Sequence, residues 1–300
     1  MKISEILDFL RAENIPFVFS GNEDGVAEGF SSLMRYKPGS FTWIKTQKNI
    51  PDGFDLSRLA LVFMAENVDP GSAPNVIVSP ESKRAFFWSI EHFYAEGEEK
   101  KTAVGEHTYI SPRVKIGENV RIGHNCTLDG DIVIGDGTVI WNNVVIINRV
   151  TIGRNCDIHS GAVIGHDGYA YTEDEMQKKT MVKHFGGVTI GNQVLIGENA
   201  CISRGGIDDT VLEDGVKVDS LSHIAHNCCL CENVSLAAPC RINGSVTVGR
   251  NAGLAGAVVR NQCMVGEGAF VGLGAVVVKD VASGEVVVGN PARPFERKKE

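Results

Sequence analysis

Two histidines stand in the segment Asp219–Asn227, whose sequence is Asp-Ser-Leu-Ser-His-Ile-Ala-His-Asn. An unperturbed imidazole titrates close to neutral pH, so a histidine in a cleft can act as a general base. His226 is the candidate base, and it stands two positions after the aliphatic residue Ile224. His223 lies three residues earlier, and on an extended strand the two side chains would face opposite ways. A lone histidine is more often structural or solvated, so the assignment depends on what surrounds it.

Gly244 lies eighteen residues after His226. In a fold whose coils contain eighteen residues, it would sit about one coil above the histidine. Its backbone N–H, with no side chain in the way, could stabilise an oxyanion formed beside the base. The spacing therefore predicts a base and an oxyanion donor at one place.

The elements that must position these residues repeat every six positions. Ten aliphatic residues keep this spacing without a break, namely Ile110, Ile116, Ile122, Leu128, Ile134, Ile140, Ile146, Ile152, Ile158 and Ile164. Glycines such as Gly117 and Gly123 often follow directly, which we interpret as tight turns that need a residue without a Cβ. Three short strands joined by turns make one coil of a β-helix, and neither a helix nor a simple strand has this period.

The repeat is interrupted twice. It stops after Gly165 and resumes at Ile190, and it stops again at Arg204–Asp209. Stacked coils accept insertions only as loops that leave a corner, and such loops often carry function. The longer insertion, residues 165–187, contains His166, Asp167, Tyr169, Tyr171, His184 and three lysines. A solvated loop without function is the alternative.

Residues 1–98 follow a different pattern. Apolar residues at helical spacing predict a helix near the N-terminus, and runs at 41–44, 59–63 and 75–78 predict strands. Ser79 and Pro80 suit the N-cap and first position of a second helix. We therefore expect three parts: a small α/β domain at 1–98, a β-helix at 99–290 and a short basic tail at 291–300.

Composition excludes several classes of function. The formal net charge of −8 argues against a nucleic-acid-binding protein, which would need a basic stripe. No apolar run has the length of a membrane span, and the first residues suggest a helix rather than a signal peptide. A cytoplasmic protein is the expectation.

All eight cysteines lie between Cys126 and Cys263. Four of them occupy the slot four places after an aliphatic residue of the repeat, which elsewhere holds Val or Ala: Cys126, Cys156, Cys228 and Cys240. We interpret them as small buried residues and expect eight free thiols. Cys228–Cys231 could suggest a metal site, but the spacing is not that of a zinc motif, so packing is the preferred interpretation and no metal is assigned.

The hexapeptide run resembles the left-handed β-helix acyltransferases, which are typically homotrimers. Within that group the chain is most similar to the UDP-3-O-acyl-glucosamine N-acyltransferases of lipid A synthesis. Three segments carry this resemblance in the family's order: Ala162–Tyr169, Arg204–Thr210 and Asp219–Asn227. The resemblance implies a mainly β fold, a left-handed parallel β-helix of hexapeptide repeats behind a small N-terminal α/β domain. It also implies that this first domain, residues 1–98, binds nucleotide or substrate.

The resemblance also implies roles for individual residues. His226 matches the family's general base, Gly244 the oxyanion donor and Asp219 a residue that supports the site. The residues that match the wall of the family's substrate cleft are Asp167, Gly168 and Tyr169. We add His223, Asn227 and Trp43 to the substrate-binding residues.

Three departures affect the substrate and the donor. Trp43–Asn49 keeps one aromatic residue of the family's uracil-binding stretch, and Gln262 replaces a second family histidine. The ending after Val288–Arg293 is similar to that of coenzyme-A-dependent sugar acetyltransferases.

The predicted reaction is acyl transfer from a phosphopantetheine thioester to the amino group of a nucleotide-linked amino sugar, with no tightly bound cofactor. The donor is acyl carrier protein or acyl-coenzyme A. One alternative is a coenzyme-A-dependent N-acetyltransferase that acts on another nucleotide amino sugar. A non-catalytic β-helix scaffold and a metal-dependent hydratase that uses His124 and His159 are the others.

Overall fold

The structure, a computed structural model, describes residues 1–95 and 102–295 and divides into two compact units, Met1–Glu98 and Glu99–Glu300. The charged segment 97–101, for which the sequence predicts a connector between the two domains, lies outside the described residues, as does the second half of the tail. Among the described residues, no helix combines the length and apolar character needed to cross a membrane.

The first unit is a five-stranded sheet with two helices. Helix α1 is Ile3–Ala12 and helix α2 is Ser82–Tyr94, and three single-turn 3-10 helices lie at Leu33–Arg35, Gln47–Asn49 and Leu56–Arg58. The strands are β1 (Val18–Ser20), β2 (Gly29–Phe30), β3 (Ser40–Ile44), β4 (Leu61–Met64) and β5 (Val76–Val78), in the order β1-β5-β4-β3-β2. Only β1 is antiparallel to its neighbour. The apolar face of α1 is fully buried, which is what the helical spacing predicts.

Ser79 does not cap the second helix as predicted. The helix begins three residues later, at Ser82. The Ser79 side chain is buried, and its hydroxyl donates to the carbonyl of Pro16 at 2.6 Å while accepting from the N–H of Glu81 at 3.0 Å. A tertiary contact therefore holds the serine before the helix begins.

The second unit is a parallel β-helix with three faces. We call them face 1, which contains Ile224, face 2, which contains Leu230, and face 3, which contains Val218. The strands of face 1 are Tyr109–Ile110, Val163–His166, Cys201–Ser203, His223–Ile224, Arg241–Ile242, Val258–Val259 and Val276–Val277. Those of face 2 are Lys115–Ile116, Val188–Ile190, Thr210–Leu212, Cys229–Leu230, Thr247–Val248 and Met264–Val265. Two longer strands, Thr127–Ile134 and Val145–Ile152, run through the corner between these faces.

Face 3 is a separate sheet of eleven strands. Its strands are Ala103–Val104, Arg121–Ile122, Val139–Ile140, Asp157–Ile158, Leu195–Ile196, Lys217–Val218, Ser235–Ala237, Gly253–Ala255, Phe270–Val271, Val286–Val288 and Arg293–Pro294. All are parallel except the last, which is antiparallel to Val286–Val288.

The repeated aliphatic residues form the core of the β-helix. From Ile122 onward those of the first unbroken run are at most 3% exposed, whereas Ile110 and Ile116 at its beginning are partly buried. The slot four places later also points inward, and Cys126, Cys156, Cys228 and Cys240 are buried in it. The period of six therefore identified both inward-facing positions of each turn.

The turn conformation differs from our interpretation of the glycines. Gly117 and Gly123 do not have positive φ; a Cβ at either would lie within 2.4 Å of an Asp136 or Asn142 side-chain oxygen on the next coil. The left-handed residue is instead the third after the aliphatic one, where asparagine often stands, as at Asn227 with φ 58°. Asparagine tolerates this conformation better than most residues. The glycines thus permit close stacking of coils.

Both insertions leave the corner between faces 1 and 2. The longer one contains an antiparallel hairpin, Tyr171–Glu173 with Lys179–Met181. The end of this insertion is held by Asp209. The Asp209 carboxylate accepts hydrogen bonds from the Gly187 N–H, the Thr189 hydroxyl and the Arg149 guanidinium. Burial raises the pKa of Asp209, but these donors outweigh it and hold the pKa below its usual value. The carboxylate therefore remains charged at neutral pH.

Candidate active site

His226 and Gly244 occupy equivalent positions on adjacent coils at the corner between faces 1 and 2. The strands pair Ile224 with Ile242, and the Ser245 N–H donates to the His226 carbonyl at 2.9 Å. A Cβ added to Gly244 would lie 2.8 Å from both Nε2 and Cε1 of His226. The absence of a side chain at position 244 therefore makes room for the imidazole.

Asn227 orients the imidazole of His226. The Nδ1 atom of His226 lies 3.0 Å from Oδ1 of Asn227, and the same oxygen accepts from the Gly206 N–H at 3.0 Å. Because this oxygen is an acceptor, Nδ1 carries the proton in the neutral ring, and Nε2 keeps its lone pair. The Asn227 N–H donates to the Thr210 hydroxyl at 2.9 Å, which fixes the asparagine. The basic nitrogen thus faces Gly244.

The long insertion closes around the other side of His226. A Cβ at Gly168 would lie 2.8 Å from Cβ and Cδ2 of His226 and 3.0 Å from Nε2 of His184. The His184 ring meets the His226 ring edge to face, with centroids 5.2 Å apart. His184 is only 4% exposed, and its Nδ1 lies 3.1 Å from the Val182 carbonyl. His226 is therefore held between a glycine on the loop and a glycine on the next coil.

A cavity of about 400 Å³ opens beside Nε2. It is lined by Tyr169, His223, Ala225, His226, Asn243, Gly244, Ser245, Asn261 and Gln262. The expectation that His223 and His226 would face opposite ways is wrong at this point, because the chain turns after Ile224. Desolvation, and to a lesser extent the nearby Arg241 charge, lower the pKa of His223. His223 is therefore a neutral wall residue at pH 7.

Asp167 lies on the other side of His184, in a second cavity of about 500 Å³ that also contains Lys183 and Arg204. Its carboxylate accepts from the His184 N–H at 3.3 Å and lies 3.8 Å from Nε of Arg204. Asp167 thus positions the segment that carries His184. Tyr169 is 76% exposed and reaches the first cavity.

Asp219 is not brought to His226 within the chain. It lies at the corner between faces 3 and 1, where its carboxylate accepts from the N–H groups of Ser220 at 2.7 Å and Ala238 at 3.0 Å. These hydrogen bonds, that of Ala238 first, lower the pKa of Asp219. In this chain the carboxylate holds a turn together.

Trp43 belongs to strand β3 of the first unit. Its indole N–H donates to the Ser82 hydroxyl at 3.2 Å, and its ring packs edge to face on Phe87 at 6.1 Å. The side chain is half-buried against the core of that unit. Its role in substrate binding stays a prediction.

His124 and His159 have structural partners. Nδ1 of His124 accepts from the Glu106 N–H at 2.8 Å, and the ring of His159 lies 3.1 Å from Asp157 and 3.2 Å from Glu198. Among the described residues, one group of three potential metal ligands lies close together, and it contains neither histidine. The arrangement gives no support to a histidine-based metal centre.

His184 is the site residue to which the sequence assigned no role. The loop has no period, so its spacing could not place this histidine against His226. The signal available was its composition: a histidine in an insertion that begins at the same kind of corner as the candidate base.

Comparison with known proteins is consistent with this geometry. Residues 131–166 match the family model described as bacterial transferase hexapeptide (six repeats), and residues 113–148 match the hexapeptide repeat of succinyl-transferase. Repeats of this type define the class as the hexapeptide-repeat acyltransferases.

Curated relatives define the family more closely. A UDP-3-O-acylglucosamine N-acyltransferase of Helicobacter pylori is 37% identical over 84% of this chain and 77% of its own length. A Caulobacter protein of the same name is 38% identical, over 48% of this chain and 43% of its own length. The chain belongs to the UDP-3-O-acylglucosamine N-acyltransferase family.

Solved structures confirm the fold class. A UDP-N-acetylglucosamine acyltransferase of Francisella novicida has a TM-score of 0.57 and 28% identity over 63% of this chain and 68% of its own. One from Bacteroides fragilis has a TM-score of 0.55 and 26% identity over 63% and 72%. These neighbours are left-handed β-helices, as the resemblance implied for this chain.

Proposed function

We propose that the protein transfers an acyl group from a phosphopantetheine thioester to the amino group of UDP-3-O-acyl-glucosamine. The observation that carries this proposal is the orientation of His226. Asn227 holds the proton on Nδ1, so that Nε2 is the basic atom, and Nε2 lies next to Gly244 in the lining of an open cavity. The names of the curated relatives supply the substrate.

The residues have distinct parts in the reaction. The amine nitrogen attacks the thioester carbonyl carbon, and the carbonyl oxygen becomes an oxyanion that accepts a hydrogen bond from the Gly244 N–H. His226 takes the proton that the attacking nitrogen loses. Collapse of the tetrahedral intermediate breaks the carbon–sulfur bond, and the departing thiolate takes the proton back from the imidazolium. The ring is then neutral again and ready for another cycle.

A product assay tests the proposal. Purified protein is mixed with UDP-3-O-acyl-glucosamine and acyl carrier protein loaded with the acyl thioester, and mass spectrometry detects the N-acylated sugar nucleotide while thiol release is followed. We expect one free thiol for each amide formed. Thiol release at the same rate without the sugar nucleotide would indicate a hydrolase and contradict the proposal.

The acyl donor has two candidates, acyl carrier protein and acyl-coenzyme A. Both present the same phosphopantetheine arm, so the residues around His226 do not distinguish them. We propose acyl carrier protein, an acidic partner, because the long insertion exposes Lys178 and Lys183, and Lys183 lines the cavity that also contains Asp167 and His184. Lys179 is already paired with Glu173 at 3.0 Å. Docking through these charges should weaken as salt rises.

Donor choice is tested with matched acyl-carrier and acyl-coenzyme-A thioesters at two salt concentrations. The Lys178→Glu/Lys183→Glu variant should raise the KM for the carrier, and Lys37→Glu, at an exposed position of the first unit, should leave it unchanged. Equal turnover with acyl-coenzyme A, insensitive to salt, would favour the coenzyme-A-dependent N-acetyltransferase.

A homotrimer is also part of the proposal, because the cavity beside His226 needs a second wall to enclose an acyl chain. Sedimentation of the active protein should give three times the mass of the chain. A monomer that keeps full activity on dilution would contradict it.

A further inference from the structure

The outer surface of face 2 carries two cysteines that the packing interpretation does not explain. Cys229 and Cys231 flank the inward-pointing Leu230, the last residue of the strand Cys229–Leu230, so both point outward from face 2. They are half-buried rather than buried, in contrast to Cys228 in the inward slot. The preference for packing is therefore correct for Cys228 and does not extend to these two.

Strand register brings a carboxylate to the same place. Leu212 pairs with Leu230, so Glu213 on the preceding coil lies beside Cys231. One carboxylate oxygen of Glu213 and the sulfur atoms of Cys229 and Cys231 all lie within 4.8 Å of one another. Three atoms that can each carry negative charge thus converge from two coils.

The carboxylate is held in position by the backbone. The N–H of Glu232 donates to Oε2 of Glu213 at 2.9 Å, and the Glu232 side chain pairs with Arg250 at 2.9 Å. A hydrogen bond from outside the ligand group fixes ligating carboxylates in protein metal sites and favours one orientation. The cluster therefore has an orienting contact as well as ligand atoms.

We propose that Glu213, Cys229 and Cys231 bind a Zn²⁺ ion, with water as the fourth ligand. Zinc takes four ligands in a tetrahedron, at about 2.3 Å from sulfur and about 2.0–2.2 Å from carboxylate oxygen. Those lengths put ligand atoms roughly 3.5–3.8 Å apart, which small side-chain rotations reach from the observed spacing. Thiolates select zinc over the hard cations Mg²⁺ and Ca²⁺.

The ion would join two adjacent coils, because Glu213 belongs to one coil and both cysteines to the next. None of these three residues lines the cavity beside His226 or the cavity that contains His184. The site is therefore structural and separate from the acyl-transfer reaction. Zinc that binds only the folded chain should raise its unfolding temperature.

Cobalt substitution gives a direct test. We expect metal-free, reduced protein to bind one Co²⁺ per chain with a thiolate-to-cobalt charge-transfer band. The band should disappear in Cys229→Ser/Cys231→Ser and remain in the control Cys201→Ser, which removes an exposed cysteine from face 1. Glu213→Gln, which replaces a proposed ligand, should weaken binding at least tenfold, because loss of an outer supporting contact alone costs about 10–100-fold.

Thiol counting provides an independent measurement. The metal-free native protein should titrate about eight thiols after denaturation, and native zinc-loaded protein should protect two that a chelator restores. Absence of the cobalt band, its survival in the double variant, or unchanged affinity in Glu213→Gln would overturn the three-ligand site. Two missing thiols that return only with reductant would show a disulfide instead, which also overturns it.

Discussion

Two corners of the same coil flank face 1 and use their polar residues differently. At the Asp219 corner, residues 219–222, the Asp219 carboxylate accepts hydrogen bonds from two backbone N–H groups. The Ser222 hydroxyl accepts one from the backbone N–H of Cys240. At the His226 corner, residues 225–228, Asn227 aims the imidazole at a cavity. Both corners have a left-handed residue at the same position, Leu221 and Asn227. Turn geometry is thus shared, and chemistry arises where insertions enclose a corner.

Loss of the base should produce the largest effect. His226→Ala should lower kcat by roughly 10²–10⁴, the range for removal of a general base, because no group then takes the amine proton. Its thermal unfolding should change little, since the ring faces a cavity. His223→Ala, the matched control in the same cavity, should lower kcat much less. Inactivation by the His223 change alone would show that the base is misassigned.

A side chain at position 244, next to the base, should produce the second largest fall in kcat. In Gly244→Ala the new methyl group would lie 2.8 Å from Nε2 of His226, so the ring must move. A displacement of about 1 Å can cost about 10² in rate. The control is Gly253→Ala on face 3, where the nearest contact is the edge of the Phe270 ring at 3.1 Å. Steady-state kinetics should show a fall in kcat for the first variant only; equal effects would indicate a general loss of structure.

Removal of the orienting hydrogen bond should have a smaller effect. Asn227→Gly keeps a residue suited to positive φ and removes the acceptor of the Nδ1 proton. A lost hydrogen bond of about 1.4 kcal/mol corresponds to about tenfold in kcat. Asn233→Gly, at the equivalent position of the next turn, should keep full activity. If both variants retain wild-type kcat, Asn227 is a turn residue and nothing more.

The features of the β-helix that follow from its six-residue repeat could be predicted from the sequence. The inward-facing aliphatic residues and the relation between His226 and Gly244 follow from a spacing of six, because each coil repeats the same geometry. The reason we gave for the glycines was wrong, since the repeat shows that a position is special without showing which force makes it so. Close stacking of coils and a left-handed backbone both favour glycine. Only the φ angle of the glycine in the structure distinguishes these two reasons.

Contacts made by aperiodic segments could not be predicted. His184 meets His226 through a hairpin-containing loop whose path no period fixes. Ser79 caps no helix because its hydroxyl bonds to Pro16, more than sixty residues away in sequence. Glu213 meets Cys231 because no insertion separates Leu212 from its partner Leu230, so this register was countable from the sequence. A linear zinc motif does not contain this contact, because Glu213 belongs to the preceding coil.

The Asp219 corner should give the smallest effect, on stability rather than turnover. Because the Ala238 and Ser220 N–H groups lower the pKa of Asp219, its charge stabilises the fold above the unfolded-state pKa of about 3.9. That contribution is lost as pH falls through the lower pKa of the folded state. Asp219→Asn should therefore have a slightly lower urea midpoint than wild type at pH 7, and the difference should shrink as the pH falls below about 4.

Turnover decides whether the two corners are independent. With the carboxylate away from His226 in its own chain, Asp219→Asn should keep kcat within about twofold, well under the tenfold that one lost hydrogen bond can cause. The measurement pairs steady-state kinetics with sedimentation of the same variant. A fall in kcat beyond tenfold with unchanged sedimentation would mean that Asp219 reaches the site of a neighbouring subunit. The contrast between a structural and a catalytic corner would then hold for the single chain and fail for the assembly.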